Sequence, residues 1–180
     1  MKKLIVFGFA VVTAVAANAA SFAWQALSIQ KVDGNSSVGL TAYLIDSTKV
    51  SRDTMISALD AGDFQYMTAA NYLLTTTTSA QGTTGISRIN LTSGSPDKES
   101  YSAYTIILDG AVGSAQNYLV TKELTNVNNP GYGGGLGDVS MSFGNQSAVA
   151  WNPITSVPEP TSGLLMLVGL GALALRRRKA

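Results

Sequence analysis

The chain has 180 residues, with 12 Lys and Arg against 11 Asp and Glu, no histidine and no cysteine. Lacking cysteine, it has no disulfide staples and no thiol nucleophile; lacking histidine, it has no Ser-His-Asp triad and no imidazole metal site. Six cations sit at the two ends (Lys2, Lys3, Arg176, Arg177, Arg178 and Lys179), so residues 20–156 keep six basic and ten acidic side chains, about four net negative charges, and lack the basic footprint that nucleic acid demands.

The amino terminus has the form of a secretion signal. Lys2 and Lys3 make a basic n-region and Leu4 to Ala17 an apolar h-region. Ala17-Asn18-Ala19 places small residues, Ala17 and Ala19, at the two positions a signal peptidase inspects. Cleavage is expected after Ala19, which makes residues 1–19 a signal peptide with a signal helix. An uncleaved membrane helix is the alternative, and the short run ending in Ala-x-Ala argues against it.

Residues 20–156 are long enough for one domain with its own core. Ser, Thr, Gly and Asn dominate, with β-branched and aromatic residues between them, which is a β signature. Phe22, Trp24, Ala26 and Ser28 alternate with their neighbours, predicting a strand near 21–32. Asp33-Gly34-Asn35 is a turn signal, and Val38, Leu40, Ala42 and Leu44 share one face of a second strand near 37–45. These two strands are expected to form a hairpin.

From Ser51 to Ala61 the period changes. Met55, Ile56 and Leu59 are spaced for a helix face, Ser51 or Asp53 can cap the start, and Gly62 stands where a C′ glycine would end it. Phe64 to Leu74 fits either a helical extension or a strand. Thr75 to Thr84 is a low-complexity Thr/Ser/Gly stretch, expected as an exposed loop. Ile86, Ile89 and Leu91 suggest a weak strand. Tyr101 to Leu108 is a buried strand turned by Asp109-Gly110, with Asn117 to Glu123 as its partner. Val139, Met141 and Phe143 alternate with Ser140 and Ser142, predicting a strand near 138–144. The expected fold is mainly β: a single β-sandwich-like domain with one short α-helix, flanked by an N-terminal signal helix and a C-terminal membrane helix.

The chemistry open to such a domain is narrow. A pair of carboxylates suffices for glycoside hydrolysis, and Asp46, Asp60, Asp63, Asp109 and Asp138 are the candidates. Most lie beside Gly, Ser or an element end, where Asp serves turns and caps. The Gly-rich stretch Pro130 to Gly137 lacks the helix that a phosphate loop needs after it, because Val139 to Phe143 reads as a strand. It is expected as a connector. Asp33-Gly34-Asn35 is too short for a calcium loop of repeating oxygen ligands. Asn35, Asn90 and Asn145 begin Asn-x-Ser/Thr triplets, which arise by chance in so Ser/Thr-rich a chain. Among the aromatics Trp24, Tyr43, Tyr66, Tyr72, Tyr101, Tyr104, Tyr118, Tyr132 and Trp151, those on strands are core candidates. Tyr132 and Trp151 lie in irregular segments and are the candidates for sugar contact. No catalytic residue, cofactor or metal ligand is assigned, and the chain is not read as an enzyme.

The carboxyl terminus carries the most specific pattern. Val157-Pro158-Glu159-Pro160 precedes an uncharged apolar run from Gly163 to Leu175, then Arg176-Arg177-Arg178-Lys179. As a helix, 13 residues span roughly 20 Å, short of the ~30 Å hydrocarbon core. Local bilayer thinning and snorkelling of flanking side chains absorb that mismatch. The four cations act as a membrane stop on the cytoplasmic side, which leaves Pro158-Glu159-Pro160 on the far side. Residues before proline are held extended, so Val157 and Glu159 offer an extended strand for an enzyme to grip. A plain membrane anchor or a buried helix with a basic end is the competing reading.

Residues 157–180, with a membrane helix over 163–175, resemble the PEP-CTERM sorting signal of Gram-negative bacteria. That resemblance implies an exosortase-like transpeptidase as partner, a transient stay in the inner membrane after signal-peptidase cleavage, and delivery to the cell envelope, surface or extracellular matrix. The Ala20-Ser21-Phe22-Ala23-Trp24 opening, the strand Gly39 to Asp46, the helix after it and the strand Tyr101 to Gly110 look like small exported PEP-CTERM proteins of Verrucomicrobia-like bacteria. The expected function is a structural or surface role. A carbohydrate-binding surface module that contacts exopolysaccharide is the alternative, and a carboxylate-based glycoside hydrolase a lesser one.

Overall fold

The computed structural model describes residues 21–30, 32, 39–75, 78–79, 81–83 and 86–155. In chain order the elements are β1 (Phe22–Gln30), β2 (Thr41–Asp46), α1 (Arg52–Asp60), α2 (Gln65–Thr68), β3 (Thr78–Ser79), β4 (Gln81–Thr83), β5 (Ile86–Ser93), β6 (Ser100–Leu108), β7 (Asn117–Val120), β8 (Leu124–Asn128), β9 (Val139–Asn145) and β10 (Asn152–Pro153). Single 3₁₀ turns lie at Ala70–Tyr72 and Tyr132–Gly134. The chain is mainly β, as its composition predicts.

The strands make two sheets. The first has the order β4-β5-β1-β9, with β1 antiparallel to β5 and parallel to β9. The second has the order β10-β7-β6-β2-β3, and β8 pairs with β6 as well. Inward side chains of both sheets build one core: Phe22, Trp24 and Ala26 from β1, Ile89 from β5, and Val139, Met141 and Phe143 from β9 meet Ala42, Leu44, Tyr101, Ala103, Ile107 and Leu119. A second core lies on the far face of the second sheet. There Tyr43, Ile45, Tyr104, Ile106, Leu108, Tyr118 and Val120 pack under Met55 and Leu59 of α1 and Met67 of α2. Burying a side chain of this size is worth about 1.5–3 kcal/mol, so the helical layer is a structural third layer.

The predicted helix forms at its expected place. Ser51 is the N-cap, its hydroxyl accepting from the Thr54 amide, and Gly62 follows the end with a positive φ of 72°. Phe64 to Leu74 resolves into α2, the 3₁₀ turn and a bridge from Leu73 to Ile45. The single-helix expectation is thus corrected to two.

The expected hairpin between β1 and β2 does not form. β1 pairs with β5 and β9, whereas β2 pairs with β6 and β3. Both strands carry an apolar face, and those faces oppose each other across the core instead of lying side by side in one sheet. Ser28 does not continue the buried face either. It adopts φ 54° in a bulge between Ala26 and Ile29, and Ile29 becomes the buried residue. The stretch 75–84 is corrected as well: Thr75 is buried, and β3 and β4 form within it. Asp33-Gly34-Asn35, the signal helix and the membrane helix lie outside the described residues.

Candidate functional site

Three polar constellations occupy the ends of the sheets. The first pins α1. The Tyr104 hydroxyl donates to the Val50 carbonyl at 3.0 Å, next to the helix start. The Tyr118 hydroxyl donates to the Asp60 carboxylate at 2.6 Å, at the helix end. Burial raises both phenol pKa values well above the ordinary range, and at Tyr118 the Asp60 bond adds to the shift. Arg52, in the first helical turn, donates to the Thr121 carbonyl at 3.0 Å. Thr121 stands at the break between β7 and β8, where its hydroxyl also accepts the Thr105 amide.

The second constellation lines a cleft of about 230 Å³ bordered by Asp46, Lys49, Asn71, Asp97, Lys98 and Tyr101. Asp46 closes β2, and its carboxylate is nearly buried, with 6% of the side chain exposed. It accepts from the Thr48 amide and hydroxyl and pairs with Lys98 at 3.1 Å. Tyr101 accepts from the Lys98 amide at 2.7 Å and donates to the Asp97 carboxylate at 3.0 Å. Its ring sits edge-on to Phe22 at 4.9 Å and under the Lys98 ammonium at 5.7 Å. Burial pushes the Asp46 carboxyl up, but the Thr48 and Lys98 bonds outweigh it and hold the group below its ordinary value. The bond to Asp46 raises Lys98, against a smaller effect of burial.

The third constellation ties the start of β1 to β9. Asp138 accepts from the Ser21 amide at 2.9 Å and the Ser21 hydroxyl at 2.6 Å, and these bonds lower its pKa.

The other carboxylates singled out from sequence serve turns and caps. Asp63 accepts from the Gln65 amide at the start of α2, and Asp109 accepts from the Gln116 amide and the Asn117 side chain. Among the described residues no group of three acidic side chains is placed to hold a metal. Trp24, Tyr43, Tyr101, Tyr104 and Tyr118 are buried, as strand aromatics should be. Trp151, the other contact candidate, is half-buried: it packs against the first core, and its indole N–H donates to the Gln30 carbonyl. Tyr132 is 54% exposed. Lys98 escaped sequence reading because it lies 52 residues from its partner. The only available signal was Asp46-Ser47-Thr48 itself, a turn pattern directly after an apolar strand.

Ala17, Ala19, Val157, Pro158, Glu159, Pro160, Arg176, Arg177, Arg178 and Lys179 lie outside the described residues. Among those that are described, no helix is long and apolar enough to cross a membrane. Residues 156–179 match the PEP-CTERM protein-sorting motif. The motif marks an exported protein that is sorted with the help of an exosortase-type processing partner. No curated protein and no solved structure matches the chain, so the likeness to proteins of Verrucomicrobia-like bacteria has no support from a relative.

The pair Asp46–Lys98 yields a pH prediction. A depressed carboxyl stabilises above its ordinary value of 3.8, and the contribution is lost as pH falls through the lowered one. A raised ammonium stabilises below 10.5, and the contribution is lost as pH climbs through the raised value. Asp46→Asn should therefore destabilise at pH 7 by about 1–3 kcal/mol, since it weakens several charge-assisted bonds of a buried group. Lys98→Ala should cost less, about 1 kcal/mol, because Lys98 is half exposed. Urea unfolding between pH 3 and 7 checks both. A variant Asp46→Asn with the acid sensitivity of the parent would contradict the assignment.

Proposed function

We propose that residues 20–156 form an exported envelope or matrix domain with a structural or surface role and no catalytic activity of its own. In this reading residues 1–19 are removed by signal peptidase. The run 163–175 then holds the protein in the inner membrane with Arg176 to Lys179 inside. An exosortase-like transpeptidase acts near Val157 to Pro160 and passes the domain to the envelope, cell surface or extracellular matrix. The observation that carries the reading is the match of residues 156–179 to the sorting motif, directly behind a domain whose described strands end at Pro153. The non-catalytic role is supported by the carboxylates, which are engaged in turns, caps and the Lys98 pair.

A carbohydrate-binding surface role is the second reading. It is favoured by Tyr132, an exposed aromatic in the Gly-rich turn beside Leu136, which is 76% exposed. Retention of the exported domain on exopolysaccharide, lost in Tyr132→Ala, would favour it over a purely structural role.

Replacing Pro158 and Pro160 with Ala tests the sorting reading. The substitution frees an extended segment that the prolines otherwise impose, while the apolar run and cations stay intact. The full-length protein, less its signal peptide, should accumulate in the inner membrane. Deletion of the exosortase-like gene from the same host should give the same accumulation. Normal trimming and surface delivery in both strains would reduce the tail to a plain anchor.

A further inference from the structure

The folded domain reaches almost to the sorting motif. β10 adds to the edge of β7 with Asn152 opposite Tyr118 and Pro153 opposite Asn117. The Ile154 amide then donates to the Gln116 carbonyl at 2.8 Å, and the half-buried Ile154 side chain packs on the second core. Pro153 fits because the bonded position in this register is the next pair, Ile154 and Gln116, so no ladder donor is lost. Pro158 lies only four positions after Ile154, at most about 14 Å of chain. Gly163 lies nine positions after it, at most about 32 Å.

An enzyme that grips an extended substrate lays it along its own surface, using residues on both sides of the motif. While β10 stays on β7, the upstream side is occupied by the domain itself. The strap is lightly held: two paired residues, both exposed, then one amide bond and one half-buried side chain. Segments with so few buried contacts open at low cost. Trp151 is a firmer stop, because its ring packs on the first core and its indole N–H is bonded to Gln30. Release of residues 152–154 therefore adds three residues, roughly 10 Å, to the chain between the folded domain and Pro158, with Trp151 still held on the first core.

We infer that Asn152–Ile154 is a releasable strap that must leave β7 before the processing enzyme can engage Pro158-Glu159-Pro160. The inference rests on the sorting reading above. Its expected consequence is that the domain's own edge, and not the tail alone, gates processing.

A lock tests it in the full chain, in a host that carries the processing machinery. Asn117→Cys with Pro153→Cys joins a non-hydrogen-bonded pair, where Cα atoms lie about 4.5 Å apart, within disulfide range. The natural chain has no cysteine, so only one bridge within the chain can form. The oxidised variant should stay untrimmed, a reductant should restore trimming, and six Gly/Ser residues inserted after Thr155 should restore it without reductant. Trimming of the oxidised variant at the parental rate would overturn the strap. So would failure of the inserted spacer to rescue. The Pro158→Ala, Pro160→Ala chain run alongside separates the two ideas: if it is trimmed normally, the sorting reading fails whatever the lock does.

Discussion

β6 has no solvent face from Tyr104 to Leu108, and the rest of the domain is arranged around that fact. Its odd-numbered side chains, Tyr101, Ala103 and Ile107, enter the core between the sheets, and Tyr104, Ile106 and Leu108 enter the core under the helices. A strand buried on both faces demands a layer on each side. The first sheet supplies one, and α1 and α2 supply the other. β2 and β7, its neighbours, divide their side chains in the same way: Leu44 and Leu119 face one core, Tyr43 and Tyr118 the other. This middle sheet also sets where polar groups are held. The phenols of Tyr104 and Tyr118 reach out of it to fix both ends of α1.

Function enters at the edges of that arrangement. β6 is paired on both sides and buried on both faces from Tyr104 to Leu108, whereas β10 is a two-residue addition at the border of the second sheet. A chain delivered through its carboxyl-terminal tail benefits from that gradient. In the proposed release the buried strands stay paired, and Ile154 is the one side chain that leaves the second core. The net negative charge of residues 20–156 fits a domain displayed outside the cell better than one bound to nucleic acid or to an anionic leaflet.

Much of this was legible in the residues. Strict alternation at Val139, Met141 and Phe143, the apolar run after Tyr101, and the Ser51 and Gly62 signals around α1 each gave the right local element. These are signals of local chemistry. Pairing was not legible, because a turn signal such as Asp33-Gly34-Asn35 cannot tell a hairpin from a crossing between sheets. β8 was missed for a physical reason. Leu124 and Val127 lie three apart, which is not strand spacing, yet both reach the first core because the register shifts opposite Tyr101 and Asn126 takes φ 54°. Ser28 hides a change of face in the same way. The Asp46–Lys98 pair depends on tertiary proximity alone.

The central claim is that the tail is a processed signal and not a permanent anchor. Mass spectrometry of the protein recovered from the cell surface or medium tests this most directly. The account predicts a carboxyl terminus in or near Val157 to Pro160, with Gly163 to Ala180 absent from every surface-delivered molecule. Surface protein that retains Ala180 would contradict it.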